Sequence, residues 1–121
     1  GSEPAPSPPP SQRLGAGREP SEAVVNEVVC GSMMLAYERA GMWAEAVGVL
    51  GRASAMGVPP NTVMYNTALA AVGKAGQLEL AESLFAQVPA PDAVTHESLI
   101  AAYGLCGQPA KAEALLKRMV R

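Results

Sequence analysis

The sequence predicts an all-α fold: an array of short helical hairpins. Three observations predict it. Glycines at 41, 76 and 107 are separated by 35 and then 31 residues. Ala46, Ala81 and Ala112 repeat the same two separations, and so do the apolar pairs Val49-Leu50, Leu84-Phe85 and Leu115-Leu116. Three features in one register mean a repeat, and a period of this size indicates units that bury their apolar faces only against neighbours. Within a unit, apolar residues recur at helical spacing, and Gly and Pro fall where helices must stop.

Taken in order, residues 1–20 hold six of the eleven prolines and almost no large apolar side chain beyond Leu14. Such a segment cannot bury enough surface to offset its ordering entropy, so it reads as a linker or as an extended arm ordered by a partner. Pro4, Pro6, Pro8, Pro9 and Pro10 are its candidate docking residues. Residues 21–121 form the helical part. Ser21 is a candidate N-cap, which predicts a long first helix over about 22–40. Tyr65, Ala68, Leu69 and Val72 share one face of a helix that ends at Ala75-Gly76, glycine supplying the left-handed residue. A second helix follows over 78–88, with Leu80, Ala81, Leu84, Phe85 and Val88 on one face, and Pro89 and Pro91 stop it. Pro109 suits the first turn of the last helix, where its missing N–H is not needed. Ala46, Ala81 and Ala112 read as points where helices cross closely. Tyr37, Trp43, Tyr65 and Tyr103 read as packing residues.

Composition narrows the function classes. No apolar run approaches bilayer length, so no direct membrane insertion is expected, and the opening residues carry no signal-peptide pattern. Cys30 and Cys106 lie in different units, which predicts two free buried thiols suited to a reducing compartment. Net charge is −2, and within 27–121 seven Lys and Arg face eight acids without segregating. A phosphate-binding protein usually shows a basic stripe. Here the one basic cluster is Lys111, Lys117, Arg118 and Arg121, placed to complement the dipole at a helix C-terminus.

Val63-Met64-Tyr65-Asn66-Thr67-Ala68-Leu69, Lys74-Ala75-Gly76-Gln77-Leu78 and Gly57-Val58-Pro59-Pro60-Asn61 together resemble the pentatricopeptide repeat, as does the run from Asp92 to Tyr103. The resemblance covers about four fifths of the chain, as units of about 27–61, 62–92 and a third, 93–121, that lacks its final turn. The tetratricopeptide repeat, of period 34, fits less well. The resemblance implies a right-handed α-solenoid of helix-turn-helix units and a chloroplast or mitochondrial location. It implies that each unit can read one RNA base with two or three side chains. Carried over, the middle unit offers Asn66 and Asp92, similar to a uridine-preferring pair. The first offers Gly31, which has no side chain to read with, and Asn61. The third offers Glu97, which repels nearby phosphate.

No catalytic constellation is present. A metal nuclease needs clustered carboxylates, and Asp92 is the single Asp of the chain. A zinc deaminase needs a Cys-x-x-Cys pair, which is absent. His96 reads as a packing residue. No cofactor is expected. The reading is a non-catalytic adaptor or structural subunit of a larger organellar protein or ribonucleoprotein assembly, with protein subunits as partners. The alternative is a single-stranded RNA-binding protein of organelle RNA processing, stability or translation, binding weakly as an isolated chain.

Overall fold

A computed structural model describes residues 19–120. Among them are six helices: α1 (Glu19–Arg39), α2 (Trp43–Ala55), α3 (Thr62–Lys74), α4 (Leu78–Gln87), α5 (Ala93–Leu105) and α6 (Pro109–Met119). The described residues are all-α, as the repeat implied. Residues 1–18, with the five candidate docking prolines, and Arg121 lie outside the described residues. Two residues assigned to the arm, Glu19 and Pro20, are already helical. Ser21 therefore sits inside α1 rather than capping it. Pro20 falls in the first turn, where a missing N–H breaks no bond of the helix.

The other boundaries follow from local chemistry. Asn61 caps α3, its side chain accepting from the Met64 N–H, so that helix starts a turn before Asn66. It ends at Gly76, whose φ of +75° is costly for any residue with a Cβ. There the Gly76 N–H donates to the Gly73 carbonyl and the Gln77 N–H to that of Val72, closing the helix end. The same pair of bonds recurs at Gly41, Gly57 and Gly107. The end of α4 is different. Val88 precedes Pro89, is pushed to extended backbone (ψ 125°), and leaves the helix one residue earlier than its apolar pattern suggests. This extended exit replaces the turn through Gly57 and makes the second unit the shorter one. Pro109 opens α6 at its first turn.

The first helices α1, α3 and α5 pack side by side in chain order as one layer. Each second helix packs on its own first helix, and α2 and α4 also pack on the first helix of the next hairpin. The core is one cluster running through all three hairpins, with Met34, Leu69, Val72 and Leu99 among its members. Small residues set the helix spacing. Ala46 and Ala81 are wholly buried, whereas Ala112 is only half-buried because no fourth hairpin follows it among the described residues. Tyr103 is buried, and Tyr37, Trp43 and Tyr65 pack against the core as expected. The cysteine expectation needs correcting. Both thiols are free and Cys30 is buried, but Cys106 is half-exposed. It caps α5 at a turn where its counterparts Ala40 and Ala75 are exposed too.

Two substitutions test the packing by denaturant melts. Ala81→Leu inserts volume at a filled crossing and is expected to destabilise by about 1–3 kcal/mol. Leu84→Ala leaves a cavity under α4 and is expected to cost about 2–5 kcal/mol. Melts unchanged by both would contradict the packing described.

Candidate binding groove

The layer of first helices leaves a continuous groove along its exposed face. Three adjoining concavities make it up. One lies between α1 and the start of α3, lined by Glu27, Gly31, Leu35, Asn61 and Thr67. The next is lined by Leu35, Glu38, Asn66, Asp92 and Ser98. The third is lined by Ala70, Gly73, Lys74, Glu97 and Ser98. Shared lining residues (Leu35 and Thr67, then Ala70 and Ser98) join them end to end. All five residues proposed as base readers therefore fall in one groove: Gly31, Asn61, Asn66, Asp92 and Glu97.

Asn66 and Asp92 are brought together by Thr95, a residue the sequence reading missed. Asp92 is the N-cap of α5, and its Oδ1 accepts from the Thr95 N–H at 2.9 Å. In return the Asp92 N–H donates to Thr95 Oγ1 at 3.0 Å, completing a capping box. Asn66 Nδ2 donates to the same Asp92 Oδ1 at 3.1 Å. The buried Thr95 hydroxyl lies 2.6 Å from Asn66 Oδ1 and 2.9 Å from Asp92 Oδ1, and its single proton is shared between the two oxygens. That contact fixes which way the amide faces. The backbone N–H of Thr95, foremost, with its hydroxyl and the Asn66 amide, holds the Asp92 carboxyl below its ordinary value of 3.8. The signal was in the sequence as Asp-x-x-Thr before an apolar run, a spacing that gives a capping box.

The other candidates are placed differently. Asn61 Nδ2 donates to Glu27 Oε1 at 2.6 Å while its Oδ1 caps α3, so both ends of its amide are engaged. Glu97 is exposed at the rim. Lys74 is the one cation among the residues lining the groove, and it is paired with Glu38. Glu27, Glu38, Asp92 and Glu97 line the same surface, so the groove carries a net negative charge.

The basic cluster lies elsewhere and is split. Lys111 and Arg118, seven residues apart on one face of α6, line a separate recess with Glu82 and Tyr103. There Tyr103 donates to Glu82 Oε2 at 2.7 Å, and Lys111 Nζ sits 3.6 Å from the same oxygen and 5.9 Å from the Tyr103 ring centre. Burial, then the Glu82 carboxylate, push the Tyr103 hydroxyl up to about 12. Lys117 is exposed and lines neither recess. His96 packs edge-on to Phe85 at 5.2 Å between ring centres, and its Nδ1–H donates to the Asp92 carbonyl at 2.8 Å. Among the described residues, no group of three His, Cys, Asp or Glu could hold a metal ion, and no helix is long and apolar enough to cross a membrane.

Comparison with known proteins gives the lineage. No curated protein matches the chain. The crystal structure of the pentatricopeptide repeat protein PPR10 from maize superposes with a TM-score of 0.64 at 26% identity. The alignment covers 75% of this chain and 14% of that one, so this chain spans a small part of that protein's length. The family model of the PPR repeat matches at residues 28–58, 63–88 and 94–121. These three segments track the three hairpins, and the chain belongs to the pentatricopeptide repeat family.

Proposed function

We propose that this chain is a non-catalytic adaptor whose groove of first helices seats a protein segment within a larger organellar assembly. The charge of the groove carries the reading. Four carboxylates line it against one lysine, and that lysine is already paired with Glu38. A polyanion meets repulsion there, whereas a segment bearing Lys or Arg meets complementary charge. The apolar stretches of groove, at Leu35, Val63 and Ala70, suit aliphatic side chains. Family membership supports a chloroplast or mitochondrial location. The proline-rich segment with Pro4, Pro6, Pro8, Pro9 and Pro10 is proposed as a second point of attachment.

A second reading, single-stranded RNA binding, rests on a specific observation. Asn66 and Asp92 form a pre-oriented polar pair on the groove. The second Asn66 amide N–H and Asp92 Oδ2 make no hydrogen bond among the described residues. Such a pair suits the edge of one base. It is the one complete pair in the groove: Gly31 has no side chain to offer, and Asn61 is engaged by Glu27.

Titration of the full chain with short single-stranded RNAs separates the readings. The adaptor reading expects weak binding with little sequence preference and a shallow salt dependence, each neutralised phosphate adding only about 0.7 to the slope. Tight uridine-dependent binding lost on Asn66→Ala would transfer the conclusion to RNA. Affinity purification from the organelle, with and without nuclease, is the companion measurement, and nuclease-resistant protein partners are expected.

The polar pair yields its own test. In an NMR titration the Asp92 carboxyl should titrate below 3.8. Thr95→Val, which removes the hydroxyl, should move it back toward that value and destabilise by about 1–3 kcal/mol through the unpaired Asn66 oxygen. A lowered folded-state value has a definite sign. The cap's charged contribution is complete above the ordinary carboxyl value and is lost as pH falls through the lowered one. The stability gap between wild type and Asp92→Ala should therefore shrink on acidification. A gap that widens would contradict the capping geometry.

A further inference from the structure

Among the described residues, the first and last hairpins present the two halves of an internal junction. We infer that this chain associates head to tail with a second copy of itself. In that contact α1 of one copy seats on α5 and α6 of the other, as α3 seats on α1 and α2 within the chain.

The inference comes from comparing equivalent positions. The face of each first helix that meets the preceding hairpin is marked by Met64, Ala68 and Ala71 in α3 and by Thr95, Leu99 and Ala102 in α5, all buried. Their counterparts in α1 are Val29, Met33 and Ala36. Val29 is 48% exposed where Met64 is 1%, and Met33 is 36% exposed where Ala68 is 0%. The face that meets the following hairpin shows the mirror result. Leu116 is 50% exposed where its counterpart Leu50 is 7%, and Ile100 and Met119 are half-buried where Met34 and Ala53 are fully covered. Nothing among the described residues covers either face. Each is an apolar stripe of the kind this chain already buries twice against the other kind.

Polar chemistry at the ends matches as well. Across the second internal junction, Tyr103 of α5 donates to Glu82 of α4. The counterpart of Glu82 in the last hairpin is Glu113, which is exposed, and that of Tyr103 in the first is Tyr37, which is half-buried. Head-to-tail stacking sets Tyr37 opposite Glu113 and reproduces that hydrogen bond between copies. One position opposes the contact. Lys111, which bridges Glu82 and overlies Tyr103, has Glu45 as its counterpart in the first hairpin. Glu45 brings a second carboxylate toward Glu113, so this contact is weaker than the internal one. Because the contact joins unlike faces, each pair still offers one free face of each kind, and larger species grow with concentration.

The test is the mass of the full chain across a concentration series, by sedimentation or light scattering. Mass should rise with concentration. Met33→Glu and Leu116→Glu each charge one face and should weaken self-association by about tenfold or more. Both side chains are exposed, so helical content by circular dichroism should stay unchanged. Mixed in equal amounts, the two variants keep one intact face of each kind and should form a dimer and nothing larger. Glu45→Lys restores the missing cation and should strengthen association by about two- to fivefold, as one exposed ion pair allows. A monomer at every concentration, in wild type and in Glu45→Lys alike, would overturn the inference. So would association that neither glutamate substitution disturbs, or a mixture of the two variants that stays monomeric.

Discussion

Close approach of the first helices is the constraint on which the rest of this structure depends. Where α3 crosses α5, a Cβ added to Gly73 would stand 3.2 Å from the Ala102 Cβ, so the two backbones meet with almost no side chain between them. A hairpin of two short helices buries little by itself. Small residues at the crossings (Ala68, Ala71, Gly73, Ala102) let neighbouring hairpins share one continuous core instead of three separate ones. The scarcity of aromatics follows from this: a large ring at these positions would hold the helices apart.

The groove inherits its geometry from that layer. Asn66 sits on α3 and Asp92 at the start of α5, and the two meet because the helices beneath them lie side by side. Asp92 serves two functions with one oxygen. It satisfies the first turn of α5 by accepting from the Thr95 N–H, and it holds Asn66 by accepting from its amide. A binding group built on a helix cap is rigid for the same reason that the helix begins there. Acidic residues reach the same surface at Glu27, Glu38 and Glu97, which gives the groove a sign as well as a shape.

The fold was legible in the sequence because its determinants are local. The glycines at 41, 76 and 107 are left-handed residues at helix ends, Pro109 opens a helix and Pro89 follows the end of one. Those requirements act within a turn of the chain, so spacing alone reveals them. The start of α1 was misread for the complementary reason: Ser21 is a good cap by type, but a helix already running at Glu19 leaves it no free N–H to cap. The candidate site was legible only in part. Asn66 and Asp92 were named through a family pattern, while Thr95, Glu27 and Glu38 acquire their roles across helices, by contacts that span 29 to 36 residues. Charge counted along the chain showed no segregation, and yet the folded layer collects four carboxylates in one groove. The cluster Lys111, Lys117 and Arg118, gathered within eight residues of the sequence, is divided by the helical turn.

The Tyr103–Glu82 contact has a consequence for how such a chain can change over evolutionary time. The equivalent positions at the first junction are Val72 and Val47, an apolar pair in place of a hydrogen bond. The hairpins are therefore keyed to their neighbours. Loss of the middle hairpin alone would bring Val47 against the Tyr103 hydroxyl and leave a buried donor without an acceptor. Duplication of it would set Glu82 against Val72 and strip a carboxylate of its partner. Repeat number can grow or shrink by recombination only where the exchanged junctions carry matching chemistry, or where a second substitution follows the first. The order of the hairpins in this chain is thus part of its stability, and the units share one pattern without being interchangeable.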